Sequence, residues 1–237
     1  MTDPASRIIV AVDRMTLSDA HADMKRVGPR LAFVKLGLEF FVANGPQGVR
    51  AVAGPLPLFL DLKLHDIPNT VAGGVRAACG VSPRFLTIHT AGGETMMRAA
   101  AEAAKAAGSS RPMLLGITVL TSLDEADLKA VGQGGPLRDQ VRRLAALAQK
   151  SGLDGVVCSP HELEALRGEC GRDFLLVTPG IRPAATGADD QKRAMTPAEA
   201  IRRGADYLVI GRPITQADDP AAALARIVDE IKPVVVT

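Results

Sequence analysis

The stretch Asp61-Leu62-Lys63-Leu64-His65-Asp66-Ile67-Pro68-Asn69-Thr70 concentrates the reactive side chains of this sequence. It follows the apolar run Leu56-Pro57-Leu58-Phe59-Leu60, which reads as a buried strand. Side chains two apart on a strand share a face. Asp61 and Lys63 therefore project one way, above Phe59, while Leu58, Leu60 and Leu62 project the other. A carboxylate and an ammonium stand on an otherwise apolar face at the strand's C-terminal end, and Asp66 follows as the chain leaves it. Buried charges are costly unless paired. An ion pair that merely caps the strand would meet that requirement. A chain that carries this cost is usually using the charges in a site. What else lies at the same height decides between these readings.

The positioning elements alternate from end to end. Strands are expected at Arg7–Val12, Leu31–Leu36, Leu58–Lys63, Phe85–His89, Met113–Thr118, Gly155–Cys158, Phe174–Val177 and Tyr207–Ile210. Helices are expected at Ser18–Val27, Glu39–Ala53, Thr70–Cys79, Glu94–Ala107, Leu137–Lys150, Pro160–Arg167, Pro197–Arg203 and Pro220–Ile231. Thr196-Pro197-Ala198-Glu199 joins a capping box to Pro at the first helical position, and Asp219-Pro220 repeats the cap-plus-Pro pattern. Strand-then-helix units of this number in 237 residues predict an α/β fold, a (β/α)8 TIM barrel, as a single domain over residues 1–237. The competing open doubly wound sheet usually places a glycine-rich turn after its first strand. Here that strand ends Val10-Ala11-Val12-Asp13-Arg14, without glycine.

A barrel of this kind works at the C-terminal ends of its strands. Read in order, those ends carry Asp13, Lys35, the Asp61/Lys63/Asp66 group, His89, Thr121-Ser122, Gly180-Ile181-Arg182 and Gly211-Arg212. By alternation Asp13 sits over Ala11 and Ile9, and Lys35 over Phe33, so both are compatible with pointing inward. Barrels often bind phosphate with the loops after strands seven and eight. Gly180 and Gly211 let backbone N–H groups approach an anion, and Arg182 and Arg212 offer bidentate forks. Arginines closing the barrel rim are the plainer alternative. The long connection from Pro179 to Thr196, with Gly180 and Gly187 as hinges, suits a lid.

Composition bounds the function. The chain is 47% apolar and 23% charged, ample for a sizeable core, and its net charge of +2 argues against a nucleic-acid polymer or a membrane surface as partner. One Tyr and no Trp weaken a base-stacking role. Cys79, Cys158 and Cys170 lack metal or redox spacing and read as reduced thiols. No apolar leader and no run of about 18 apolar residues appears, so the expected compartment is the cytoplasm. His21, His65, His89 and His161 show no close ligand spacing, so no metal is expected. His65 reads as a packing residue or one supporting a site residue, and His89, facing the mouth, as core polar packing with a substrate contact as the alternative.

Asp61 through Val71 resembles the signature of the orotidine 5′-phosphate decarboxylase family. Val177-Thr178-Pro179-Gly180-Ile181-Arg182, Asp189-Asp190-Gln191-Lys192-Arg193 and Gly211-Arg212-Pro213-Ile214 resemble its further motifs, in order along nearly the whole chain. The resemblance implies decarboxylation of orotidine 5′-monophosphate to uridine 5′-monophosphate, without a cofactor, in a homodimer with shared active sites. Lys63 matches the proton donor and Asp61 the carboxylate beside the departing CO2. Asp66 and Thr70 match residues reaching into the partner's site. Asp13 and Lys35 match ribose contacts, with Lys35 also bridging toward Asp61. Thr121 matches a pyrimidine contact, a role open also to Ser122. Arg182, Gln191, Gly211 and Arg212 match a phosphate clamp and its lid. Two other readings are a metal-dependent phosphosugar decarboxylase or aldolase of the same superfamily, and a non-catalytic nucleotide-binding barrel. The first would be favoured by a carboxylate ending strand two, where this chain has Lys35. The second would be favoured by loss of Asp61 or Lys63, and both are present.

Overall fold

Period-two and helical patterns alternate along the chain, and each pattern forms its own element. A computed structural model describes residues 3–183 and 195–235. After a 3₁₀ turn at Pro4–Arg7 come β1 (Ile8–Ala11), α1 (Leu17–Val27), β2 (Val34–Gly37), α2 (Leu38–Ala53), β3 (Leu58–Leu64) and α3 (Pro68–Ala78). Then follow β4 (Phe85–His89), α4 (Gly93–Lys105), β5 (Met113–Ile117), α5 (Glu125–Ala130), α6 (Leu137–Lys150), β6 (Gly155–Val157) and α7 (Leu163–Cys170). The chain ends with β7 (Leu175–Thr178), α8 (Pro197–Arg202), β8 (Tyr207–Ile210), α9 (Arg212–Thr215) and α10 (Pro220–Val235). The strands form a closed barrel in sequence order, with β8 pairing parallel to β1. The expected (β/α)8 architecture is the observed one.

Several boundaries differ from expectation, for local reasons. β2 starts at Val34 because Leu31 N–H bonds Gly28 O at 3.2 Å, holding a turn where strand was expected. The helix expected at Glu39–Ala53 is two pieces meeting at Gly45 (φ 61°), where Pro46 offers no N–H to continue the first. Pro160–Glu162 is a 3₁₀ turn, and the α-helix begins at Leu163. Helices α5 and α9 fall where no helix is expected from the sequence. Thr196 caps α8 through Glu199 N–H at 3.3 Å, but the Glu199 carboxylate pairs with Arg203, so only half of the capping box forms.

Alternation divides the apolar side chains into two layers. Ile9, Ala11, Phe33, Phe59, Phe85, Leu115, Val177 and Val209 fill the barrel. Their strand neighbours, including Leu58, Leu60 and Leu62, face outward into the larger core beneath the helices. Inside the barrel, Phe85 packs on Phe33 (5.1 Å between ring centroids), Tyr207 (5.0 Å) and Phe59 (5.9 Å). These rings form a floor beneath the charged residues of the C-terminal mouth.

Candidate active site

Two features of β3 set the geometry of the mouth. The β3–β4 register runs Phe59↔Phe85 and Leu60↔Leu86, then jumps to Leu64↔Ile88. Four steps on β3 thus match two on β4, a bulge that contains Asp61, Leu62 and Lys63. Lys63 takes the left-handed backbone conformation (φ 50°), uncommon outside glycine. Its N–H, displaced from the ladder, donates to Thr87 Oγ1 at 2.8 Å. The bulge keeps Asp61 and Lys63 on the inner face and re-aims the lysine.

Four charges interlock there. Lys63 Nζ bonds Asp61 Oδ2 at 2.7 Å. Lys35 Nζ bonds Asp13 Oδ1 at 2.8 Å and lies 3.8 Å from Asp61 Oδ2. Thr87 Oγ1 donates to Asp61 Oδ1 at 2.9 Å. The Lys35 and Asp61 side chains are only 10% and 12% exposed, so their pairing offsets a real desolvation cost; that of Lys63 is 40% exposed and accessible from the cavity. Arg14 donates to both oxygens of buried Asp23, at 2.7 and 3.3 Å, tying the turn after Asp13 to α1.

Asp13, Lys35, Asp61 and Lys63 line a cavity of about 340 Å³. Gly180, Arg182, Gly211 and Arg212 line it too, with Thr121 and the apolar Ile117, Val119 and Val157. Gly180 has φ 78°, a conformation suited to glycine. A Cβ on Gly211 would lie 3.3 Å from the Ala11 Cβ and 3.8 Å from Asp13 Oδ2, so only glycine keeps that wall flat. Barrel closure therefore sets the loop after β8 against the end of β1. Arg182 N–H bonds Met195 O at 3.0 Å, joining the two ends of the long connection.

Of the residues singled out by sequence, Asp13, Lys35, Asp61, Lys63, Thr121, Arg182, Gly211 and Arg212 surround this cavity. Ser122 is not on its lining. Asp66 and Thr70 are exposed and lie off the lining, with the Asp66 carboxylate accepting from Ile67 N–H at 2.6 Å. Gln191 and Gly187 fall outside the described residues. His65 and His89 stack on each other at 5.1 Å. Burial, then the neighbouring His65 and Lys63, hold the His89 imidazole below its ordinary pKa. Cys158 also lines the cavity, but burial pushes its thiol far above the ordinary range, so it supplies no thiolate. Sequence reading passed over Thr87, although it lies two residues before His89 on the same inward face.

A closed parallel barrel with its paired charges gathered at the C-terminal mouth defines a (β/α)8-barrel enzyme. A sequence model of the "Orotidine 5'-phosphate decarboxylase / HUMPS family" matches residues 6–227, and the chain belongs to that family. It is 54% identical over 230 residues to orotidine 5′-phosphate decarboxylase of Rhodospirillum rubrum, spanning 94% of this chain and 93% of that one. Identity to the Thermobifida fusca orotidine 5′-phosphate decarboxylase is 50% over 230 residues, spanning 96% and 97%. The crystal structure of orotidine 5′-phosphate decarboxylase from Lactobacillus acidophilus matches with TM-score 0.86 at 39% identity, covering 95% of this chain and 98% of that chain. No helix among the described residues is long and apolar enough to cross a membrane.

Proposed function

We propose that this chain converts orotidine 5′-monophosphate to uridine 5′-monophosphate and CO2 in de novo pyrimidine biosynthesis, with Lys63 as the proton donor to C6. Family membership and relatives named for this activity carry the reaction. The reading of Lys63 is supported by one observation: its ammonium, held 2.7 Å from Asp61, stands at the mouth and is accessible from the cavity.

The chemistry asks for such a group. When the C6–carboxylate bond breaks, its electron pair stays on C6 as a vinyl-type carbanion that the ring cannot delocalise. A preorganised ammonium beside C6 stabilises that charge as it forms, then transfers a proton to it. Lys63 recovers its proton from solvent. Asp61 anchors the ammonium and stands against the departing carboxylate. At about 4 Å and an effective dielectric near 20 their repulsion is roughly 4 kcal/mol before relaxation. Asp13 and Lys35 hold the ribose, and Thr121 contacts the pyrimidine. Gly180, Arg182, Gly211 and Arg212 take the phosphate, with Gln191 of the long connection closing over it. Binding the remote phosphate supports the reacting geometry. No cofactor enters this scheme.

The assembly in this proposal is a cytoplasmic homodimer of single-domain chains with shared active sites. Asp66 and Thr70 are exposed and off the lining of their own cavity, and Met15, Leu38, Val42 and Ile67 are large apolar residues that are also exposed. Exposed apolar side chains of this size suit burial against a second chain.

The deciding experiment is an ultraviolet assay for loss of orotidine 5′-monophosphate with EDTA present. Full turnover is expected. No turnover, or turnover of a phosphosugar that EDTA abolishes and magnesium restores, would move the chain to the metal-dependent branch of its family.

A further inference from the structure

We propose that Thr87 is a positioning residue of the decarboxylation, acting through Asp61 and through the backbone of Lys63. The inference rests on the reading of Lys63 as proton donor. Thr87 is fully buried on the inner face of β4, between Phe85 and His89, and is not on the cavity lining. Its hydroxyl lies 2.8 Å from Lys63 N and 2.9 Å from Asp61 Oδ1. A backbone N–H can only donate, so the hydroxyl accepts there. Its single proton is then directed to the carboxylate, which accepts.

The consequence is a two-point clamp. One bond fixes the rotation of the Asp61 carboxylate, turning Oδ2 toward Lys63 Nζ. The other satisfies the N–H that the β3 bulge removes from the ladder, at a residue in left-handed backbone. A buried N–H without a partner is costly, so this bond holds the bulge in the conformation that aims Lys63. One oxygen thus sets both the partner of the ammonium and the origin of its side chain. A threonine that only filled space would need neither bond.

The test measures Thr87→Val, which keeps the shape without the hydroxyl, beside Thr87→Ser, which keeps the hydroxyl. Rates are normalised to sites titrated with uridine 5′-monophosphate, so that misfolded protein is not counted. For Thr87→Val, kcat should fall by about a hundredfold, as for an ångström-scale misplacement, with KM within about threefold. Thr87→Ser should restore kcat to within about threefold of wild type. If Thr87→Val does not fold, Thr87→Cys, a weak hydrogen-bonding group of serine's size, replaces it and should turn over at least about tenfold more slowly than Thr87→Ser. A kcat within twofold of wild type for Thr87→Val, or equal losses with and without the hydroxyl, would overturn the proposal. Lys63→Ala run alongside separates the failures. An active Lys63→Ala removes the proton-donor reading itself, whereas an inactive Lys63→Ala beside a fully active Thr87→Val removes only the role of Thr87.

Discussion

Lys63 pairs an unfavourable backbone with a favourable electrostatic position. A non-glycine residue at φ 50° costs of the order of 1–3 kcal/mol, and such strain persists only where surrounding bonds over-determine it. Here the bonds to Thr87 and Asp61 do so. Lys63→Ala should lower kcat by more than about 10⁴-fold, losing both proton transfer and charge stabilisation, while the fold survives because the side chain is not buried. The ultraviolet assay beside a thermal melt checks this, and near-wild-type turnover would refute it. His89 gives a second prediction, on stability. Its folded-state pKa lies below the ordinary 6.5, so as pH falls the unfolded chain takes up the proton first. Its contribution is intact above pH 6.5 and is lost as pH falls through the lowered folded value. Urea midpoints between about pH 7 and pH 5 should decline more steeply for wild type than for His89→Phe. Parallel declines would show that His89 is not the titrating group.

The elements differ in how they serve the cavity. Strands β1 to β3 deliver charge from rigid backbone, whereas the connections after β7 and β8 deliver glycines and arginines. The first suits a reacting centre held to fractions of an ångström; the second suits a phosphate that must enter and leave. Arg212→Ala should raise KM for the nucleotide by about 10- to 100-fold, the value of one charge-assisted contact, with a smaller fall in kcat where closure is impaired. The dephosphorylated nucleoside should be a poor substrate for wild type and hardly worse for the variant. A large further loss on the nucleoside would give Arg212 a role other than holding phosphate.

At the scale of the molecule, each barrel carries an internal charge array and an exposed pair, Asp66 and Thr70, off the lining of its cavity. Pro68 begins α3 and restricts the chain just after Asp66. If each site draws Asp66 from a neighbour, inactive Lys63→Ala and inactive Asp66→Ala proteins should complement. Unfolded together and refolded, about half the dimers are mixed, each with one intact site, so activity should approach about a quarter of wild type. Mixed dimers that stay inactive would place Asp66 in its own subunit's site.

The amino-acid sequence by itself determined which residues face inward. Period-two alternation in short apolar strands put Ile9-Ala11-Asp13, Phe33-Lys35 and Phe59-Asp61-Lys63 on one face each, apolar below and charged above, and the structure keeps that arrangement. The same local signals, caps and Pro positions among them, located most of the helices. Tertiary structure alone decided the β3 bulge, the left-handed Lys63, the two hydrogen bonds of Thr87 and the approach of Gly211 to Asp13. Each depends on pairing between residues far apart in the chain. Side-chain periodicity reports which face a residue occupies, whereas register and closure are settled by hydrogen bonds between strands, which local sequence does not encode.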